Sequence, residues 1–144
     1  MKKALNVLKL WTLTALAAAT LTGTASAQSL LKGSFTLPYE VHWGKAVLAP
    51  GSYVITMDRA YGPAIVRTAA GTGQAFVMAR TTSSAREGYS TALLISQSEN
   101  QRFVRSFNWR EGNTEFVYLP FSKAERQRQA KADETVVPIL MAQK

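Results

Sequence analysis

The chain has 144 residues, 17 lysines and arginines against nine acids, one histidine and no cysteine. That composition leaves room for one domain behind a leader and excludes a disulfide scaffold or a cysteine-based zinc centre. The net charge of +8 serves solubility first and a weak attraction to anionic polymers or cell-surface lipids second; the basic residues form no long block and no nucleic-acid motif occurs, so no nucleic-acid partner is expected.

In chain order, the first element is a leader. Lys2 and Lys3 precede an uncharged, largely apolar run from Leu10 to Leu21, and "ASA" at Ala25-Ser26-Ala27 has the small-x-small form that signal peptidase accepts. The run is shorter than the about 20 residues a permanent span needs. No cysteine follows for lipid attachment, and no twin-arginine pair precedes the run. We expect a signal peptide at 1–27, a secreted or periplasmic destination, and no transmembrane anchor after cleavage. The mature chain, 28–144, is expected to be a single β-rich domain. It keeps fourteen lysines and arginines against nine acids, a net charge of +5. A chain of this size buries roughly two thirds of its unfolded surface, enough for an independent core.

Period-two alternation dominates the mature chain. In "FTLPYEVHW", Phe35, Leu37, Tyr39, Val41 and Trp43 fall on one face of a strand, and Thr36, Pro38, Glu40 and His42 on the other. Pro38 cannot donate to a ladder, which predicts an edge or a bulge. Gly44 permits a bend, and Ala49-Pro50-Gly51-Ser52 has the residues of a type II turn. Tyr53, Ile55 and Met57 then alternate in a second strand. A turn at Tyr61-Gly62-Pro63, a strand at 64–68 and a loop at 69–73 come next. Residues 74–81 are apolar enough to predict a strand covered on both faces, and 82–89 a polar loop. Residues 91–96 predict another strand, and Ser98-Glu99-Asn100 a turn.

The next hairpin can be registered. A turn centred on Glu111-Gly112 sets Trp109 opposite Thr114, Phe107 opposite Phe116 and Arg105 opposite Tyr118, with Phe103, Phe107 and Trp109 sharing a face with Phe116 and Tyr118. Ser122 and Glu125 form a capping box that predicts a surface helix over about Lys123 to Asp133, whose only apolar residues are alanines. The apolar tail at 136–141 is expected to dock on the sheet or add an edge strand. The fold class is therefore mainly β: an antiparallel sandwich or small barrel of about seven to eight strands with one C-terminal surface helix.

Candidate chemistry is sparse. Glu40 and His42 share a polar face, but a zinc site needs three or four ligands and no nucleophile-elbow signature accompanies the histidine. The pair reads as a solvent-facing decoration of a strand. Glu40, Glu111 and Glu115 have no spacing that brings two carboxylates together for glycoside hydrolysis. No catalytic residue, cofactor or metal site is expected. Arg105, Trp109 and Tyr118 are candidate ligand contacts. Arg105 either lies over Tyr118 with its head in water or meets an anionic ligand at the end of an apolar cavity.

Gly33, Phe35, Leu37, Pro38, Val41, Trp43, Gly44, Leu48, Pro50, Gly51 and Tyr53 form a pattern, GxFxLPxxVxWG…LxPGxY. It resembles an uncharacterised family of small secreted bacterial β-domain proteins. The later Phe107, Phe116-Val117-Tyr118 and Pro120, and the basic stretch before Thr135-Val136-Val137-Pro138, are similar too. The resemblance implies a secreted, mostly β, single domain, and carries no activity, cofactor or catalytic residue. The expected function is a secreted non-enzymatic β-module, binding an envelope polymer or protein or serving structurally at the cell envelope. The alternative is a small closed barrel carrying an apolar or amphipathic ligand.

Overall fold

In the computed structural model, which describes residues 29–120, 122–124 and 134–142, the alternating stretches become twelve strands and no helix of membrane-spanning length occurs among the described residues. In order they are β1 Leu31–Leu37, β2 Val41–Trp43, β3 Ala46–Leu48, β4 Gly51–Met57, β5 Ala64–Thr68 and β6 Gln74–Val77. Then come β7 Thr81–Ser84, β8 Ala92–Ser98, β9 Gln101–Trp109, β10 Thr114–Val117, β11 Glu134–Pro138 and β12 Leu140–Met141. The leader at 1–27 and nearly all of the helix expected over 123–133 lie outside the described residues.

Two sheets form. The first has the order β12-β1-β4-β5-β6; the second has the order β11-β8-β9-β10-β7, with β2 and β3 attached beside β9. Every pairing is antiparallel except β2 with β9, which meet in parallel at His42 and Phe103. Besides the crossings from β1 to β2 and from β3 to β4, one chain segment passes between the sheets at each lateral edge, β6 into β7 and β11 into β12. The ladder is interrupted at both edge crossings, so this is a two-sheet sandwich and not a closed barrel. The barrel expectation is thereby corrected. The strand count also exceeds the seven to eight expected, because several strands have only two to four residues.

The alternation of "FTLPYEVHW" survives in burial but not as one strand. Phe35, Leu37, Val41 and Trp43 are all buried, yet the chain leaves the first sheet after Leu37 and enters the second at Val41. Pro38 stands at the crossing, where its missing N–H costs no ladder bond. Half-buried Tyr39 packs against the core beside the crossing, with the Arg102 guanidinium 4.1 Å from its ring centroid. Gly44 has φ 61° in the two-residue turn joining Trp43 to Ala46, the positive first position of a type II′ hairpin.

The Pro50-Gly51 step is a corner and not the type II hairpin turn the sequence suggested. β3 pairs with β2 while β4 pairs with β1 and β5, so the chain crosses back to the first sheet here. Gly51 has φ 153°, within the positive region that favours glycine. Tyr53 fixes the corner by donating its phenol hydroxyl to the Ala49 carbonyl at 2.7 Å, as in the tyrosine corner of other sandwiches.

The core joins both inner faces. Tyr53 stacks on Phe35 at 5.6 Å, Phe35 meets Trp43 edge-on at 6.1 Å, and Trp43 meets Tyr118 edge-on at 5.2 Å. This chain of rings spans the sandwich from β4 to the end of β10. Such contacts are worth about 0.5–1.5 kcal/mol each beyond area burial. The registered hairpin has the expected pairs: Phe107 faces Phe116, with rings 5.8 Å apart, and Trp109 faces Thr114. Tyr118 N–H donates to the Arg105 carbonyl at 2.9 Å.

Three expectations fail for identifiable reasons. Leu94 pairs with Ser106 and Ile95 with Val104, which leaves Arg105 as the extra residue of a bulge. The bulge reverses the alternation, so Val104 joins Phe107 in the core while Phe103 is half-buried outside it. Residues 74–81 are not covered on both faces, since β6 is an edge strand with Phe76 65 % and Met78 62 % exposed. The polar stretch after it is not all loop, since Thr81–Ser84 pairs with β10. The apolar tail docks as expected, β11 on β8 and β12 on β1.

Candidate functional site

Every residue of the family-like pattern has an architectural task. Phe35, Leu37, Val41, Trp43, Leu48 and Tyr53 are core, and Pro38, Gly44, Pro50 and Gly51 turn the chain. Gly33 lies under the C-terminal crossing, where an added Cβ would stand 2.6 Å from Ile139 Cγ2.

The polar groups of the second sheet are engaged in holding its outer face. Arg86, in the loop after β7, places Nε 2.8 Å from Glu115 Oε1 and Nη1 3.3 Å from both Glu134 carboxylate oxygens. Ser83 donates to Glu115 Oε2 at 3.3 Å. Asn108, fully buried, accepts from Arg86 N–H at 2.8 Å and donates to the Ser90 carbonyl at 3.0 Å. Thr91 donates its hydroxyl to Glu111 and accepts from the Arg110 amide. These bonds pin residues 86–91 across the sheet, and the outward positions Ala92, Leu94, Ser106 and Asn108 are completely covered. Glu111 and Glu115 thus serve as hydrogen-bond anchors in this layer.

His42 is half-buried, not fully solvent-facing, with its ring 5.2 Å from that of Phe103; Glu40 is exposed just before β2. No group of three metal-ligating side chains occurs among the described residues.

Arg105, Trp109 and Tyr118 do not converge. Arg105 is 5 % exposed, so its head is not in water. It donates from Nε to Ser96 Oγ and from Nη1 to the Leu119 carbonyl, both at 3.2 Å, on the outer side of the sheet. Tyr118 points inward to Trp43, and burial pushes its phenol pKa well above the ordinary value. Trp109 is half-buried against the core and carries Gly112 on its ring, where a Cβ would collide with the indole. The two described clefts include none of the three.

The first sheet is different, because among the described residues no loop closes its outer face. Along β1 and β4 the outward positions are Lys32, Ser34 and Thr36, then Ser52, Val54 and Thr56. β5 and β6 add Ile65, Arg67, Gln74 and Phe76. A groove of about 330 Å³ runs over this face, with Ser34, Thr36, Ser52 and Val54 beneath it, Leu140 with Val137 and Pro138 of β11 on one side, and Ala69 on the other. The Thr36 and Ser52 hydroxyls are 3.2 Å apart and exposed. A second cleft of about 210 Å³ lies between the 60–62 turn and residues 78–82, beside the exposed Tyr61 and Met78. The groove was missed from sequence, although its residues are the polar members of the same alternation that marked Phe35 and Tyr53 as core.

Comparison with protein-family models, with curated proteins and with solved structures finds no match to this chain.

Proposed function

We propose that this protein is an exported, non-enzymatic β-module that works at the cell envelope by binding, in keeping with the small secreted β-domain proteins its N-terminal pattern resembles. One observation carries the reading: the two sheets have unequal outer faces. The second is closed by the chain's own loop and ion pairs, whereas the first offers a hydroxyl-floored groove, with Lys32 and Arg67 on the same face outside its lining. Glu111 and Glu115, two of the three carboxylates weighed for hydrolysis, are engaged with Thr91 and Arg86. Export is supported by the lysine-led apolar run and "ASA".

The test has two parts. The protein recovered from the periplasmic or secreted fraction is sequenced from its N-terminus and incubated with washed envelope fragments. A start at Gln28 and saturable retention on the fragments are the expected results. Retention of the intact chain in the cytoplasm, or no association with the envelope, overturns the proposal.

A further inference from the structure

We infer that the open face of the five-stranded sheet binds an acidic polysaccharide strand, with sugar hydroxyls on Ser34, Thr36 and Ser52 and the saccharide's carboxylates on Arg67 and Lys32. The inference rests on the envelope-binding reading and names its ligand.

The register fixes the layout. Leu140, Ser34, Val54, Arg67 and Gln74 form one row across the sheet, and Lys32, Thr56, Ile65 and Phe76 form the next. Thr36 and Ser52 begin a third row on the other side. Neighbouring strands are about 4.8 Å apart and successive outward residues about 6.8 Å apart. The face is thus a regular grid on which hydroxyls alternate with small apolar patches. Sugar rings present the same mixture, an equatorial fringe of hydroxyls around apolar C–H faces. Serine and threonine hydroxyls both donate and accept, so they can meet a sugar hydroxyl in either sense, and Val54 and Leu140 offer the C–H faces a dry contact. The groove's volume of about 330 Å³ is at the lower end for small-ligand sites, the size of a short saccharide segment crossing an open surface.

Charge selects among saccharides. The strand positions of this face carry Lys32 and Arg67 and no carboxylate; Asp58 follows the end of β4. Arg67 donates from Nε to Gln74 Oε1 at 3.0 Å, so its guanidinium is oriented along the sheet by a neutral amide that leaves its charge in place. A planar guanidinium suits a carboxylate better than a neutral hydroxyl. The mature chain's excess of basic residues adds a weak long-range attraction of the same sign.

The experiment titrates the mature protein calorimetrically with polyuronate oligomers, with dextran, and with vesicles containing anionic phospholipid. Arg67→Gln, Lys32→Gln and the double variant Thr36→Val/Ser52→Ala are compared, with thermal melts to establish that each is folded. We expect polyuronate to bind, dextran to bind far less, and added salt to weaken the interaction. Arg67→Gln should weaken it about tenfold, as loss of a charge-assisted hydrogen bond does, and the hydroxyl variant should weaken it without changing the salt dependence. Equal affinity in all variants, equal binding of dextran, or binding to vesicles alone overturns the inference. Failure of polyuronate binding by a protein that envelope fragments still retain overturns this inference and leaves the envelope reading standing; failure of both removes both.

Discussion

Replacing Tyr118 by phenylalanine tests the interior of the sandwich. The Tyr118 ring meets Trp43 edge-on at 5.2 Å, and only 5 % of the residue is exposed. Its hydroxyl is buried and finds no hydrogen-bond partner among the described residues. An unsatisfied buried polar group costs about 1–3 kcal/mol. Phenylalanine keeps the ring contact and removes that cost, so the variant should equal or exceed the wild type at pH 7. The alkaline range gives an independent check. Burial raises the phenol pKa in the folded state, so above the ordinary value of about 10 the unfolded chain loses the Tyr118 proton while the folded chain keeps it. The folded state then binds more protons, and its stability falls as pH rises from the unfolded toward the folded pKa. The loss reaches about 1.4 kcal/mol one unit above the unfolded pKa. The other tyrosines contribute alike in both proteins, so the difference between variant and wild type isolates Tyr118. Urea unfolding followed by tryptophan fluorescence, at neutral pH and one unit above the ordinary phenol pKa, measures it. A variant that loses more than about 1 kcal/mol at neutral pH would show that the hydroxyl is satisfied. A gap that does not widen with pH would show that it is accessible to solvent.

Trp43→Ala should cost about 3–5 kcal/mol through the cavity it leaves, while His42→Ala, one residue away on the opposite face, should cost less than about 1 kcal/mol because it loses only a partly exposed ring contact; chemical denaturation of the pair reads both. Gly33→Ala drives a methyl group into Ile139 and toward the Leu140 carbonyl, and should destabilise by about 1–3 kcal/mol, with faster amide exchange at Ile139 and Ala142, whose N–H groups bond to Thr91 and Lys32. Glu115→Gln leaves Arg86 with Glu134 as its carboxylate partner; a stability loss of about 1–3 kcal/mol, with increased proteolysis in the 85–91 loop, is expected, and an unchanged cleavage pattern would refute the anchoring role.

The sequence resolves what depends on neighbours along the chain. Two strands close to each other in sequence must match their alternations, which is why the pairing of Phe107 with Phe116 can be read directly. It does not resolve where a strand stops pairing with one sheet and starts with the other. Leu37 and Val41 look continuous in alternation because both sheets face the same core. The bulge at Arg105 is invisible for a related reason: its cause is the register of β8, and nothing in "RFVRSF" marks the skipped residue. The placement of Arg105 failed with it, since setting it beside an inward aromatic face assumed unbroken alternation. The groove residues were visible as polar positions, but a polar face is a binding face only if no loop covers it. Which sheet Arg86 and Asn108 would close is decided by contacts over 22 residues and more in sequence.

The segment containing β11 and β12 supplies one outermost strand of each sheet, pairing Gly33 with Met141, more than a hundred residues later in the chain. That placement governs timing. Built from the N-terminus, the fold has β1 and β8 each with one edge bare until β11 and β12 follow. Long-range closure of this kind is intrinsically slow, and an open edge is sticky while it lasts. Both bare edges are therefore covered together in one late step, when the segment carrying β11 and β12 docks.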